Sequence, residues 1–193
     1  MRLLLTVSLA LGLVSAACAG GNPNVRTYID FDPPNYVHEF TTELYTSFEA
    51  YVCMDQVDSG VTAVSFRVTN LVQEYPWVVA TQSWYQLFPG DLPLYWPWLG
   101  STIVSTECMT EDEGPVLVGY LSYFCVGDGP ACLEILDHSD YPRWVVDCAD
   151  PCEVDFYCVL ANASINGGVC PEGDCSPVPV ENGSWGSIKS MYR

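Results

Sequence analysis

The chain has 193 residues, with 24 acidic against 6 basic side chains and a formal net charge of −18. Nucleic acid is thereby excluded as a partner, because phosphate binding needs clustered lysine and arginine, and anionic membrane surfaces are disfavoured; metal cations and basic partners remain compatible. At 49% hydrophobic and 13% aromatic residues the chain can fill a core, so it is not a disordered polymer.

Residues 1–19 read as an export leader. Arg2 supplies a positive charge, an apolar run extends from Leu3 to Val14, and Ala17-Cys18-Ala19 fits cleavage after Ala19. The run is shorter than the about 20 apolar residues that cross a bilayer. Cys18 leaves one alternative, a lipoprotein cut before that cysteine. No later stretch reaches spanning length. The organisation expected is a leader over 1–19, one domain over 20–170, and a Pro/Gly-rich spacer with a terminal tag over 171–193, secreted or held at the cell surface.

Gly20 to Asn24 reads as a flexible lead-in, and Val25 to Phe31 as a first strand halted by Asp32-Pro33-Pro34-Asn35. Leu44 to Met54 follows, with Phe48, Ala50 and Val52 on one face and Tyr51 and Cys53 on the other. The cleanest alternation sets Val64, Phe66 and Val68 against Ser65, Arg67 and Thr69, the period-two signature of a half-buried strand. Trp77 to Thr81 and Ile103 to Cys108 predict short strands, separated by a ring-rich loop over 84–98 and followed by the acidic turn Glu111 to Gly114. Val116 to Val126 predicts a long central strand covered on both faces. Gly127-Asp128-Gly129-Pro130 then predicts a hairpin that returns Cys132 to Leu136 antiparallel, with a cross-hairpin Cys125–Cys132 disulfide if the register allows. Trp144 to Cys148 and Val154 to Leu160 complete the strands, and 167–181 reads as loop. Many short strands with turn signals between them predict an all-β fold, an antiparallel β-sandwich stapled by disulfides.

Nine cysteines lie beyond the leader: Cys53, Cys108, Cys125, Cys132, Cys148, Cys152, Cys158, Cys170 and Cys175. In an exported chain disulfides are the default, and an odd count leaves one thiol free unless Cys18 is retained. The spacings at Cys148, Cys152 and Cys158 also raise zinc, which the leader disfavours. Asp147, Asp150, Glu153 and Asp155 place carboxylates close together, as do Asp30 and Asp32. A solvated acidic loop is the favoured reading there, with calcium as the alternative. No other cofactor is expected.

Catalysis is not expected. Asp137-His138-Ser139-Asp140 gathers the residue types of a triad, but the roles need side chains that converge in space. His38 is the other histidine. Trp84, Tyr85, Tyr95, Trp96 and Trp98, with Phe88, are the ligand-binding candidates, since flat rings stack on sugars and anchor interfaces. Capping an open end of the sandwich is the competing role for these rings. Asn162-Ala163-Ser164 and Asn182-Gly183-Ser184 match the N-glycosylation acceptor.

The last ten residues, Ser184 to Arg193, resemble an S/T-W-G-x-I/L-K-x-x-Y/F-R ending of exported proteins from Eisenbacteria-like bacteria, with Trp185, Gly186, Lys189 and Arg193 at the pattern positions. That resemblance implies a sorting or surface-attachment tag recognised by export or sorting machinery. Ala50-Tyr51-Val52, Gly60 to Asn70 and Val145 to Cys148 resemble uncharacterised secreted domains bearing the same tail, and imply an immunoglobulin-like or cohesin-like sandwich. The function expected is non-enzymatic: adhesion, assembly or ligand binding with an extracellular protein or glycan. The alternatives are a carbohydrate-binding module, calcium-assisted or not, and a small extracellular hydrolase.

Overall fold

The computed structural model describes residues 21–75, 77–81, 100–112, 114–139, 142–149 and 152–175. Its regular structure is nearly all strand. The larger sheet is built from β1 (Arg26–Asp30), β3 (Ser47–Asp55), β5 (Val78–Thr81), β7 (Val116–Cys125) and β12 (Cys158–Ala161), in the order β12-β1-β3-β7-β5. A second sheet takes β4 (Val61–Val68), β6 (Ser101–Met109), β10 (Trp144–Asp147) and β11 (Val154–Asp155), in the order β11-β10-β4-β6, with β9 (Ile135–Leu136) added to β4. A three-stranded patch joins β2 (Glu39–Phe40), β13 (Ala163–Ile165) and β8 (Ala131–Leu133), in the order β2-β13-β8. Pairing is antiparallel except for β1 with β12 and β2 with β13. One helical turn, α1 (Leu71–Glu74), is capped by Asn70, whose side chain accepts from the Gln73 N–H at 3.2 Å.

Alternation makes the two main sheets a sandwich. Ile29, Phe48, Ala50, Val52, Val118, Leu121 and Tyr123 from the larger sheet meet Val61, Val64, Phe66, Val68, Ile103 and Val145 from the second in one buried cluster. Burying each large apolar side chain contributes about 1.5–3 kcal/mol. Ile165, at 0% exposure, carries β13 into the same cluster. Ile165→Val is expected to cost about 1 kcal/mol, read as a fall of about 0.5 M in urea midpoint.

Four expectations need correction. β7 is not covered on both faces: Leu117, Tyr120, Ser122 and Phe124 are half-buried and alternate with the buried residues. The turn at 127–130 does not make a hairpin. Both lateral partners of β7 are already supplied, by β3 and β5, and Trp77 packs against Gly127 and Gly129. β8 and β9 pair instead with β13 and β4. The predicted strand over 154–160 is split into β11 and β12, which join different sheets. The lead-in is not loose either: Asn22 is 0% exposed, accepts from the Ser59 N–H at 2.9 Å and donates to the Gly60 carbonyl at 2.7 Å.

The cysteines pair as Cys108–Cys148, Cys132–Cys170 and Cys158–Cys175, while Cys53, Cys125 and Cys152 are unpaired. Cys132 therefore does not bond Cys125, because the missing hairpin takes β8 away from β7. Among the described cysteines three thiols are free where one was expected. Burial in the sheet pushes the Cys53 and Cys125 thiols up, so neither is a ready nucleophile. Iodoacetamide without reductant is expected to modify only exposed Cys152 among the described cysteines, with Cys53 and Cys125 joining it in urea; intact-mass spectrometry reads the count. Disulfides suit an oxidising compartment. No helix among the described residues is long and apolar enough to cross a membrane.

Candidate functional site

The outward face of the larger sheet follows from register. Arg26 pairs with Asp55, Tyr28 with Cys53 and Asp30 with Tyr51, so these side chains share the face turned away from the Ile29 side. Tyr51 in turn opposes Tyr120, Glu49 opposes Ser122, and Ser47 opposes Phe124. Exposed surfaces of antiparallel sheets are usually polar. This one carries a run of rings set among carboxylates.

The loop after β1 folds back over part of that face. Buried Asp30 directs it, accepting the N–H groups of Asp32, Tyr36 and Val37, each at 2.9 Å. The Phe31 N–H donates to the Val37 carbonyl at 2.9 Å and closes the loop, which contains a cis Pro33–Pro34 bond. Tyr36 is thus laid on Tyr28, the ring centroids 5.0 Å apart at 25°. His38 wedges edge-on against both rings, and its Nδ1, 2.6 Å from the Ile29 carbonyl, donates to it. That contact fixes His38 as a spacer and occupies one ring nitrogen. Tyr28 is fully buried and its hydroxyl meets no hydrogen-bond partner among the described residues. Burial pushes this phenol up, and the neighbouring Tyr36 side chain pushes the same way.

Beside the Tyr28–Tyr36 stack lies an open cleft of about 940 Å³, lined by Tyr36, Asp55, Asp58 and Glu111 together with Asn24, Pro34, Gln56, Gly114 and Pro115. Arg26 grips Asp55 bidentately, Nε to Oδ1 at 2.8 Å and Nη2 to Oδ2 at 2.6 Å, and that bond holds the guanidinium firmly protonated. The Glu111 carboxyl is pushed up by burial, pulled down by the backbone N–H groups of Val57 and Gln56, and pushed up again by the charge of Asp55. The cleft therefore keeps net negative charge after Arg26 is counted.

Farther along the same face the Tyr51 and Tyr120 rings lie 5.5 Å apart. Tyr51 donates to Glu49 Oε2 at 2.5 Å. The hydrogen bond to Glu49, then burial, push this phenol up to about 12. Because the protonated phenol is the donor, Glu49→Gln is expected to bring the Tyr51 titration down toward the ordinary value near 10, read by NMR of ring-labelled tyrosine.

The structure brings together rings and acids that the sequence reading did not select. Tyr28, Tyr36, Tyr120, Asp55 and Glu111 were not candidates. The one available signal was alternation, which had set Tyr51 opposite Phe48 and Val52. The candidates Trp84, Tyr85, Phe88, Tyr95, Trp96 and Trp98, and the tag residues Trp185, Gly186, Lys189 and Arg193, lie outside the described residues, as does Asp150. Asp147 and Asp155 lie on the neighbouring strands β10 and β11, where Asp155 is opposite Val145 rather than Asp147, and their oxygens accept backbone N–H groups. Asp147 takes Ala149 at 3.1 Å and Glu153 at 2.8 Å, and Asp155 takes Asn22 at 2.7 Å. No group of three or more metal-ligating side chains is found among the described residues. Asp137 of the triad-like run binds Arg143 at 2.9 Å, which places its carboxylate in a structural pair. At Asn162 the side-chain amide donates to the Pro171 carbonyl at 3.1 Å, so the glycosylation nitrogen is engaged in the fold.

No protein-family model and no curated protein matches this chain. Among solved structures, a non-cellulosomal cohesin from the hyperthermophilic archaeon Archaeoglobus fulgidus is similar at 9% identity, over 74% of this chain and 89% of that one, with a TM-score of 0.46. A type I cohesin–dockerin complex from Clostridium thermocellum is similar at 6% identity, over 77% and 97%, with a TM-score of 0.48. A cohesin of R. flavefaciens, solved with a group 1 dockerin, is similar at 12% identity, over 77% and 98%, with a TM-score of 0.41. At such identities few surface side chains are shared, so what this chain binds has to be read from its own residues.

Proposed function

We propose that this protein is an exported, non-enzymatic binding module of the adhesion or assembly kind, which docks a basic protein partner on the outward face of its larger sheet. The observation that carries this reading is the joining of half-exposed tyrosines to the acidic cleft of Tyr36, Asp55, Asp58 and Glu111. Aromatic rings give area at small entropic cost, and unneutralised carboxylates steer and orient a cationic partner. Among the described residues the arginines are already engaged: Arg26 with Asp55, Arg67 with the Asp137 carbonyl, and Arg143 with Asp137 and Asp174. A lysine- or arginine-bearing segment from outside would meet no competing cation at the cleft among the described residues beyond Arg26.

The test is NMR shift mapping with arginine-rich model peptides, acidic control peptides and soluble polysaccharides. Basic peptides are expected to shift Tyr36, Tyr51 and Glu111, more weakly as salt rises. Tyr36→Ala with Glu111→Gln is expected to weaken binding at least about tenfold, which is about 1.4 kcal/mol. Shifts on these residues with polysaccharide alone, or with no peptide, would overturn the reading.

A further inference from the structure

We propose that Cys152 is the resolving thiol of an internal disulfide relay: Cys148 and Cys152 pair first as the chain folds, and Cys108 then displaces Cys152 to make the final Cys108–Cys148 bond. The relay acts during folding and is independent of the docking role.

Register gives Cys148 a second partner close by. β10 and β11 pair as Val145 with Asp155 and Val146 with Val154. The Asp147 N–H donates to the Glu153 carbonyl at 3.0 Å, and the Glu153 N–H donates to Asp147 Oδ1 at 2.8 Å, which carries the pairing one step further. The next residues out are Cys148 and Cys152. They follow a hydrogen-bonded pair and so take the close, non-hydrogen-bonded position, where an antiparallel ladder sets Cα atoms about 4.5 Å apart. A disulfide needs about 4.4–6.8 Å. In the finished fold Cys152 is exposed and unpaired.

The final partner comes from far along the chain. Val61, in the middle strand β4, pairs with Met109 of β6 on one side and with Asp147 of β10 on the other. Cys108 and Cys148 are the chain neighbours of those two residues. Their bond lies over Gly60, where a Cβ would fall 2.1 Å from Cys108 Sγ and 2.7 Å from Cys148 Sγ. The two cysteines therefore meet only when β6 and β10 are both seated on β4. β10 and β11 need no such assembly, because only Ala149, Asp150 and Pro151 separate Cys148 from Cys152. Cys108 and Cys148 are 40 residues apart. Chain entropy favours closing a roughly tenfold shorter loop by about 30-fold, so Cys148–Cys152 is the bond an unfolded chain makes first.

Both steps balance. A small disulfide such as oxidised glutathione accepts the two electrons of the first. The Cys148 thiolate attacks it and releases one reduced thiol; the Cys152 thiolate then attacks Cys148 Sγ and releases the other, and the two protein protons end on those leaving thiols. Once β6 docks, the Cys108 thiolate attacks Cys148 Sγ. The Cys148–Cys152 bond breaks, its electron pair leaves on Cys152 Sγ, and the proton given up by Cys108 ends there. This second step is an exchange and consumes no oxidant. An exposed position suits the departing Cys152, whereas Cys53 and Cys125 are buried and take no part.

The experiment refolds the reduced protein in oxidised glutathione, quenches samples in acid, blocks free thiols and maps the pairs by mass spectrometry. Early samples are expected to hold Cys148–Cys152 about 30-fold over Cys108–Cys148, with the first decaying as the second appears. Cys152→Ser is expected to form Cys108–Cys148 about 10-fold more slowly, since the long loop then closes without the short one before it. Its end product is expected to melt with the parent. Cys108→Ser is expected to stop the relay with Cys148–Cys152 retained. Oxidation of Cys152→Ser at the parent's rate would overturn the proposal, as would the absence of Cys148–Cys152 from every time point. A fully oxidised Cys152→Ser that melts well below the parent would also overturn it, by making Cys152 a structural residue.

Discussion

Joint replacement of Cys108 and Cys148 by alanine is expected to lower the free energy of unfolding by about 4 kcal/mol. The bond closes a loop of 40 residues, and cross-linking a loop of that size removes roughly that much entropy from the unfolded chain. It ties the end of β6 to the residue after β10, while Gly60 packs onto both sulfurs. At an m-value of about 2 kcal/mol/M the loss appears as a fall of about 2 M in urea midpoint. The 17-residue loop closed by Cys158–Cys175 provides the control, since the same reasoning gives about 3 kcal/mol for its removal. A larger loss from the shorter loop would show that local packing, rather than chain entropy, sets the effect. Against a typical total of 5–15 kcal/mol, either loss is large, and full reduction is expected to unfold the protein at 37 °C.

Asp30→Ala is expected to cost about 3 kcal/mol and to abolish basic-peptide binding as well. Three backbone N–H groups, of Asp32, Tyr36 and Val37, end on this one buried carboxylate. Hydrogen bonds to charged groups contribute about 1.5–3 kcal/mol, and their loss leaves donors unsatisfied. The loop that lays Tyr36 on Tyr28 then loses its template, so the wall of the cleft goes with it. Tyr36→Ala separates the two effects: it keeps the loop's hydrogen bonds and is expected to weaken binding with little loss of stability. If Asp30→Ala were as stable as the parent yet failed to bind, the carboxylate would belong to the interface itself.

The strand content was legible in the chain because period-two alternation survives in single residues. Val64, Phe66 and Val68 are buried in β4, and Tyr51 lies opposite Phe48 and Val52 as its position demanded. An all-β sandwich stapled by cysteines follows from such patterns, since a half-apolar strand has to find a second layer. The candidate site was not legible. Tyr28 and Tyr36 read as an ordinary strand residue and a loop residue, and only the turn templated by Asp30 stacks them. Asp55 and Glu111 are 56 positions apart in the chain and meet only when β3 and β6 end at the same corner.

By itself, then, the sequence determined where strands run, which faces are apolar, and that the surface is acidic, because these depend on near neighbours along the chain. The tertiary structure decided the rest. Cys132 was set beside Cys170 rather than Cys125 because β5 had occupied the remaining edge of β7. Gly21 and Asn22, which read as loose chain, became a seated segment because Asp147, Asp155, Ser59 and Gly60 converge on them from strands and turns more than 35 residues away. Pairing and convergence are long-range choices among competing partners, and no local pattern records which partner prevails.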